Sequence, residues 1–136
     1  MKEFDYDLDY KSLDFTNPET RKLYRIGRGE QGVLLVRPYT EDICQHWRFK
    51  DVPTANKSSH KIYQMFCNYR RQKDFIGMDM ARKFLEMGFT RARRYANHNS
   101  GRKYDVSKTI LPQEDDALTS EKAQAAQVFK KVRDLA

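Results

Sequence analysis

Between residues 91 and 104 the chain sets Arg91, Arg93, Arg94, Arg102 and Lys103 around Tyr95, His98 and Tyr104. Guanidinium and ammonium groups at this density suit one chemistry above others, charge-assisted hydrogen bonding to phosphate or carboxylate oxygens. Aromatic rings interleaved with them offer faces on which nucleic-acid bases stack. On a helix, Arg91, Arg94, Tyr95 and His98 fall on the side opposite Ala92 and Ala96, with Arg93 between the two. A second patch of the same kind is His46-Trp47-Arg48-Phe49-Lys50. Extended backbone there would put Trp47 and Phe49 on one edge and Arg48 and Lys50 on the other. Trp47, the lone tryptophan, serves equally well as a core anchor, because so large a ring usually buries. These patches predict phosphate contacts from Arg48, Lys50, Arg91, Arg93, Arg94, Arg102 and Lys103. Tyr95, Tyr104 or Trp47 would stack bases, and His98 would add a hydrogen-bonding imidazole.

A separate phosphate chemistry is suggested by Gly27-Arg28-Gly29-Glu30-Gln31-Gly32, which spells G-x-G-x-x-G. In a dinucleotide-binding unit that pattern must open a helix, whereas here a strand-like run follows. The kinase analogue also fails, since the chain carries neither H-R-D nor D-F-G. Two readings remain. The glycines Gly27, Gly29 and Gly32 supply the positive φ of a hairpin turn, or backbone N–H groups beside Arg28 cradle a phosphate.

Metal and nucleophile chemistries find little support. His46, His60, His98, Cys44 and Cys67 show no H-x-x-x-H or C-x-x-C spacing. Asp5, Asp7 and Asp9 resemble half of a calcium loop, but Tyr10 stands where that loop needs glycine. No G-x-S-x-G elbow occurs. No metal and no cofactor are expected. Were the chain an enzyme, His98 would be its acid or base and Arg91 and Arg94 its phosphate ligands.

The elements that position these residues follow from periodicity. Leu23-Tyr24-Arg25-Ile26 and Val33-Leu34-Leu35-Val36 read as the two strands of a β-hairpin, and Phe4 to Tyr10 alternates as a further strand would. Thr40-Glu41-Asp42 starts a short helix. Residues 57–73 place Ile62, Met65, Phe66 and Tyr69 at helical spacing, with Thr54, Asn56 or Ser58 as the cap. Asp74 caps a helix whose stripe is Ile76, Met80, Phe84 and Met87, with Gly77, Ala81 and Gly88 as a small-residue seam. Asp79, Arg82, Lys83 and Glu86 are expected to face water, and Gly88 to break the helix before a restart at Thr90. Thr119 or Ser120 caps a last helix with Ala125, Ala126, Phe129 and Val132 inward. The fold expected is α+β, a predominantly helical single domain with a small N-terminal β-hairpin or sheet.

With 136 residues, the chain suits one core. Eight Phe, eight Tyr and one Trp supply the bulk that a disordered chain lacks, despite a charged fraction of 33%. Charge is segmented: residues 1–20 form an acidic arm of net −4, residues 21–104 a basic core of net +12, and residues 105–136 carry −1. The last of these divides into a linker, 105–118, and a C-terminal helix, 119–136. No apolar run reaches the roughly 18 residues of a membrane span. Two unpaired cysteines and an acidic N-terminus suit a soluble cytoplasmic protein.

Gly27 to Val36, His46 to Lys50 and Gly77 to His98 together resemble a small family catalogued as domain of unknown function 4385, found in phage and cellular genomes. The likeness spans roughly residues 4 to 105, with the C-terminal segment less clearly included. It implies no activity and no catalytic residue. Function therefore rests on the residues. A non-enzymatic accessory domain that binds DNA or RNA is expected first, ahead of a small enzyme acting on a phosphorylated metabolite or nucleotide. A module meeting an acidic protein comes third.

Overall fold

The structure, a computed structural model, describes residues 8–27, 30–97 and 120–136. A 3-10 turn at Tyr10–Ser12 precedes helices α1 (Pro18–Arg21), α2 (Tyr39–Cys44), α3 (Val52–Arg71), α4 (Phe75–Asn97) and α5 (Glu121–Leu135). Helices α3, α4 and α5 pack against one another pairwise, and α2 lies on α4.

Each long helix starts where its sequence provides a cap. Asp51 Oδ1 accepts from Thr54 N at 2.8 Å, and Pro53 sits in the first turn, where its missing N–H costs nothing. The helix therefore begins about one to two turns earlier than Thr54, Asn56 or Ser58 would have placed it. Asp74 Oδ1 accepts from Gly77 N at 3.2 Å, and Ser120 Oγ from Ala123 N at 3.2 Å. Between α3 and α4 the chain reverses in three residues, with Lys73 in the left-handed region at φ 58°. Asp74 N donates to Tyr69 O at 2.8 Å there, closing the end of α3. So short a link makes α3 and α4 antiparallel neighbours.

Burial follows the expected stripes. Ile76, Met80, Phe84 and Met87 of α4 are buried, as are Ile62 and Phe66 of α3 and Ala125, Ala126, Phe129 and Val132 of α5. The small residues set the closeness of approach. A methyl group on Gly77 would meet the Tyr69 ring at 2.4 Å, and one on Gly88 would meet Phe129 at 2.3 Å. Gly88 therefore does not end α4. The helix runs through it without a restart at Thr90, about 34 Å long at 1.5 Å per residue, because Phe129 fills the space that a side chain would take. Lys122 lies over Tyr95 while Phe129 meets Gly88, so α5 runs antiparallel to α4.

Among the described residues there is no strand, and the expected α+β class with an N-terminal hairpin is replaced by an all-helical bundle overlaid by loops. Residue 23 ends a turn and residues 24–26 are irregular backbone without a partner strand, while residues 30–36 form successive turns and a bend. Burial shows why. Val33 and Val36 are buried while Leu34 between them is 58% exposed, a spacing of three that belongs to turns and not to the alternation of a strand. The backbone agrees, with Val33 N donating to Glu30 O and Leu35 N to Gly32 O. Side-chain hydrogen bonds from α4 supply what a second strand would have supplied. Lys83 Nζ donates to Gln31 O at 2.7 Å, and the Thr90 hydroxyl donates to the Glu30 carboxylate.

Lys83 was expected in water and is 2% exposed. Its ammonium pairs with Asp79 Oδ2 at 3.1 Å and lies 6.0 Å from the Tyr24 ring centroid, while the Tyr24 hydroxyl donates to the same carboxylate. Burial, then the nearby Asp79 charge, pushes the Tyr24 hydroxyl far up. The i, i+4 pair exists as expected, but Tyr24 and Gln31 cover it. A second network ties the N-terminal segment to the start of α4. Arg21 donates to Asp74 at 2.8 Å, to Tyr39 Oη at 2.7 Å and to Phe15 O at 3.1 Å, and Tyr39 Oη donates to Asp74 at 2.6 Å. Phe15 and Tyr10, preceding it, are buried in the core.

Candidate polyanion-binding face

From near its middle to its C-terminal end, α4 is held in place by an aromatic ladder from the connector between α2 and α3. Trp47 packs on Phe84 at 5.8 Å between centroids and on Phe49 at 5.0 Å, and Phe49 packs on Tyr95 at 6.2 Å. Lys122 of α5 caps the ladder, 5.6 Å from Phe49 and 5.8 Å from Tyr95. Trp47 is therefore turned into the protein, which favours its reading as an anchor. Tyr95 keeps 39% of its surface exposed.

The alternation read from residues 47–50 holds without a strand: Trp47 and Phe49 are half-buried, and Arg48 and Lys50 are exposed. Arg91, seven residues beyond Phe84, lies about two turns along the same side of α4, and Arg94 and Tyr95 follow on that side. Arg91 and Arg94 are exposed, whereas Arg93 is half-buried and donates to Asn97 Oδ1 at 3.1 and 3.3 Å. The structure thus brings Arg91, Arg94 and Tyr95 to the end of the bundle that carries Arg48 and Lys50, and turns Arg93 aside. His98, Arg102, Lys103 and Tyr104 lie outside the described residues.

Beside the ladder lies a concave pocket of about 390 Å³, lined by Gln45, His46, Arg48, Thr54, Lys57, Ser58 and Lys61. It carries three full cations and an imidazole and no carboxylate. Its wall is built from within. Buried Ser58 donates to His46 O at 2.7 Å and accepts from Arg48 N at 2.9 Å, fixing the connector against α3. Arg48 Nη1 donates to Trp47 O at 2.6 Å and to Cys44 O at 3.3 Å, which orients the guanidinium. Among the described residues, Lys57 and Lys61 enter no ion pair. The nearest acid in sequence, Asp51, is engaged as the α3 cap. Hydrogen bonding from Thr54 holds it below the usual carboxylate range, with Lys50 and Lys122 adding to the effect.

Sequence reasoning named Arg48 and Lys50 but passed over His46, Lys57 and Lys61 as a group. One signal was available. Lys57 and Lys61 are like charges at i, i+4, an arrangement that costs a helix about 0.2–0.5 kcal/mol without an anion between them.

The described residues of the glycine loop do not line this pocket. Gly32 takes φ 82° and is buried, Gly27 is half-buried, and Arg28 and Gly29 lie outside the described residues. The N–H groups of Val33 and Leu35 are engaged in turns, and the loop brings the Glu30 carboxylate to Thr90, so what is visible suits a pinned turn better than a phosphate cradle. No group of three or more His, Cys, Asp or Glu that could hold a metal occurs among the described residues. None of their helices is long and apolar enough to cross a membrane.

No curated protein and no solved structure matches the chain. The model of one family, described as "Domain of unknown function (DUF4385)", matches residues 5–136 and so takes in α5, which the resemblance read from the sequence left less certain. The chain belongs to that family.

Proposed function

We propose that the chain is a nucleic-acid-binding or nucleic-acid-process accessory domain that uses the cationic end of its helical bundle. The observation that carries this reading is the pocket wall of Arg48, Lys57 and Lys61, free of carboxylates; exposed Arg91 and Arg94 lie within about a turn of Tyr95, which packs on Phe49 of the same connector. Uncompensated cations drawn from a connector and two helices are costly to gather, and an anion repays that cost by charge-assisted hydrogen bonds. Exposed Tyr95 adds a ring edge at the same end.

Binding rests on phosphate neutralisation and so falls steeply with salt. Engagement of four to six of Arg48, Lys50, Lys57, Lys61, Arg91 and Arg94 gives a slope of about −3 to −4 in log affinity against log salt on a single strand. Fluorescence anisotropy with DNA and RNA oligonucleotides measures it. The combined Arg48→Gln, Lys57→Gln and Lys61→Gln variant flattens the slope by about two units on a single strand. Absence of binding tighter than about 100 μM at low salt ends the proposal. Capture of an acidic protein that survives nuclease treatment would point to a protein partner instead.

A further inference from the structure

The size and charge of the pocket bear on which part of a nucleic acid it would receive. A strand that passes across a protein offers one negative charge per phosphodiester. The pocket is a half-open recess of about 390 Å³, with room for roughly one nucleotide, at the lower end of the range for small-ligand sites. Its three cations and one imidazole exceed what a single diester neutralises. A phosphomonoester carries about −1.5 to −2 at neutral pH and presents three acceptor oxygens, which matches that surplus.

The donors are also prepared for such a group. Arg48 is oriented through Nη1 by two carbonyls, and its Nε and Nη2 make no hydrogen bond to the described residues. The guanidinium thus keeps donors for bidentate contact with two phosphate oxygens. Lys57 and Lys61 stand one turn apart on α3, the spacing at which two ammonium groups flank one anion. Ser58 ties the backbone of both His46 and Arg48 to α3, so the recess exists before any ligand arrives.

We propose that this pocket seats the terminal phosphate of a nucleic-acid strand, a proposal that rests on the nucleic-acid reading and makes the domain a reader of strand ends. The test uses the full chain and single-stranded oligonucleotides of about 12 residues, within the usual site size, bearing a 5′-phosphate, a 3′-phosphate or neither. Anisotropy at about 50 mM salt gives three affinities. One of the two phosphorylated strands is expected to bind at least about tenfold tighter than the unphosphorylated one. The Lys57→Gln/Lys61→Gln variant brings that ratio close to one, while Lys130→Gln/Lys131→Gln, on exposed positions of α5, leaves it unchanged. Equal affinity for all three strands overturns the end-reading proposal alone. An end preference that persists in the Lys57/Lys61 variant overturns its placement in this pocket. Failure of every strand to bind overturns it together with the nucleic-acid reading.

Discussion

Replacing Lys83 by methionine tests the least expected feature of the structure, an ammonium sealed under a loop. Lys83→Met keeps the length and the apolar stem, and removes one charge that is 2% exposed. Asp79, at 11% side-chain exposure, then loses its counter-ion, and Gln31 O loses a donor at 2.7 Å. Breaking one side of a buried pair costs about 3–5 kcal/mol, chiefly because the remaining charge is left uncompensated. The Tyr24 hydroxyl still donates to Asp79, which places the expected loss toward the lower end, at about 3 kcal/mol. Urea unfolding followed by circular dichroism reads this as a lower midpoint, and for a domain of this size the melting temperature drops by about 10 °C. Adding Asp79→Asn removes the stranded charge while keeping an acceptor for Tyr24, so the double variant recovers about 1 kcal/mol or more relative to Lys83→Met alone. A loss below about 0.5 kcal/mol for Lys83→Met would mean that water reaches the ammonium and that Tyr24 and Gln31 do not seal it.

Gly88→Ala should destabilise by about 1–3 kcal/mol although alanine is the better helix former, because the added methyl meets Phe129 at 2.3 Å; combining it with Phe129→Leu should recover part of the loss in thermal melts. Lys73→Gly should stabilise by about 0.5–1 kcal/mol, measured by urea titration, since lysine holds φ 58° where glycine is at ease. Stability should also decline at both extremes of pH. Asp74 is desolvated, but hydrogen bonds from Tyr39, Arg21 and Gly77 N outweigh burial and hold its pKa below 3.8. Its contribution is complete above the unfolded value and disappears as pH falls through the folded one. Burial and then Asp74 push Tyr39 up to about 12. Its contribution is complete below the unfolded value near 10 and disappears as pH rises toward 12. Asp74→Asn should weaken the acid-limb dependence in denaturation curves collected from pH 2 to 6, and an unchanged acid limb would remove Asp74 from the account.

Local signals in the sequence carried much of the bundle. The cap at Ser120, the cap at Asp74 and the stripes of α4 and α5 depend on residues within a turn or two of one another, so periodicity alone reveals them. The alternation of Trp47, Arg48, Phe49 and Lys50 was legible for the same reason, and it survived even though no strand formed. The exposed cations Arg91 and Arg94 could also be read, because Ala92 and Ala96 mark the opposite face of one helix.

What tertiary structure alone decided concerns partners distant in sequence. Leu23 to Ile26 and Val33 to Val36 have the composition of a hairpin, but Lys83 and Thr90, more than fifty residues away, satisfy the backbone and the acid of that loop instead. Gly88 has the local character of a helix stop, and only Phe129 across the bundle makes it an interior contact. The pocket follows the same logic. His46 and Arg48 become neighbours of Lys57 and Lys61 because Ser58 clasps the connector to α3, and no spacing in the sequence expresses that clasp. Helix periodicity is a short-range property of the chain, whereas the pairing of buried charges and the closing of a recess depend on which surfaces the packed helices bring together.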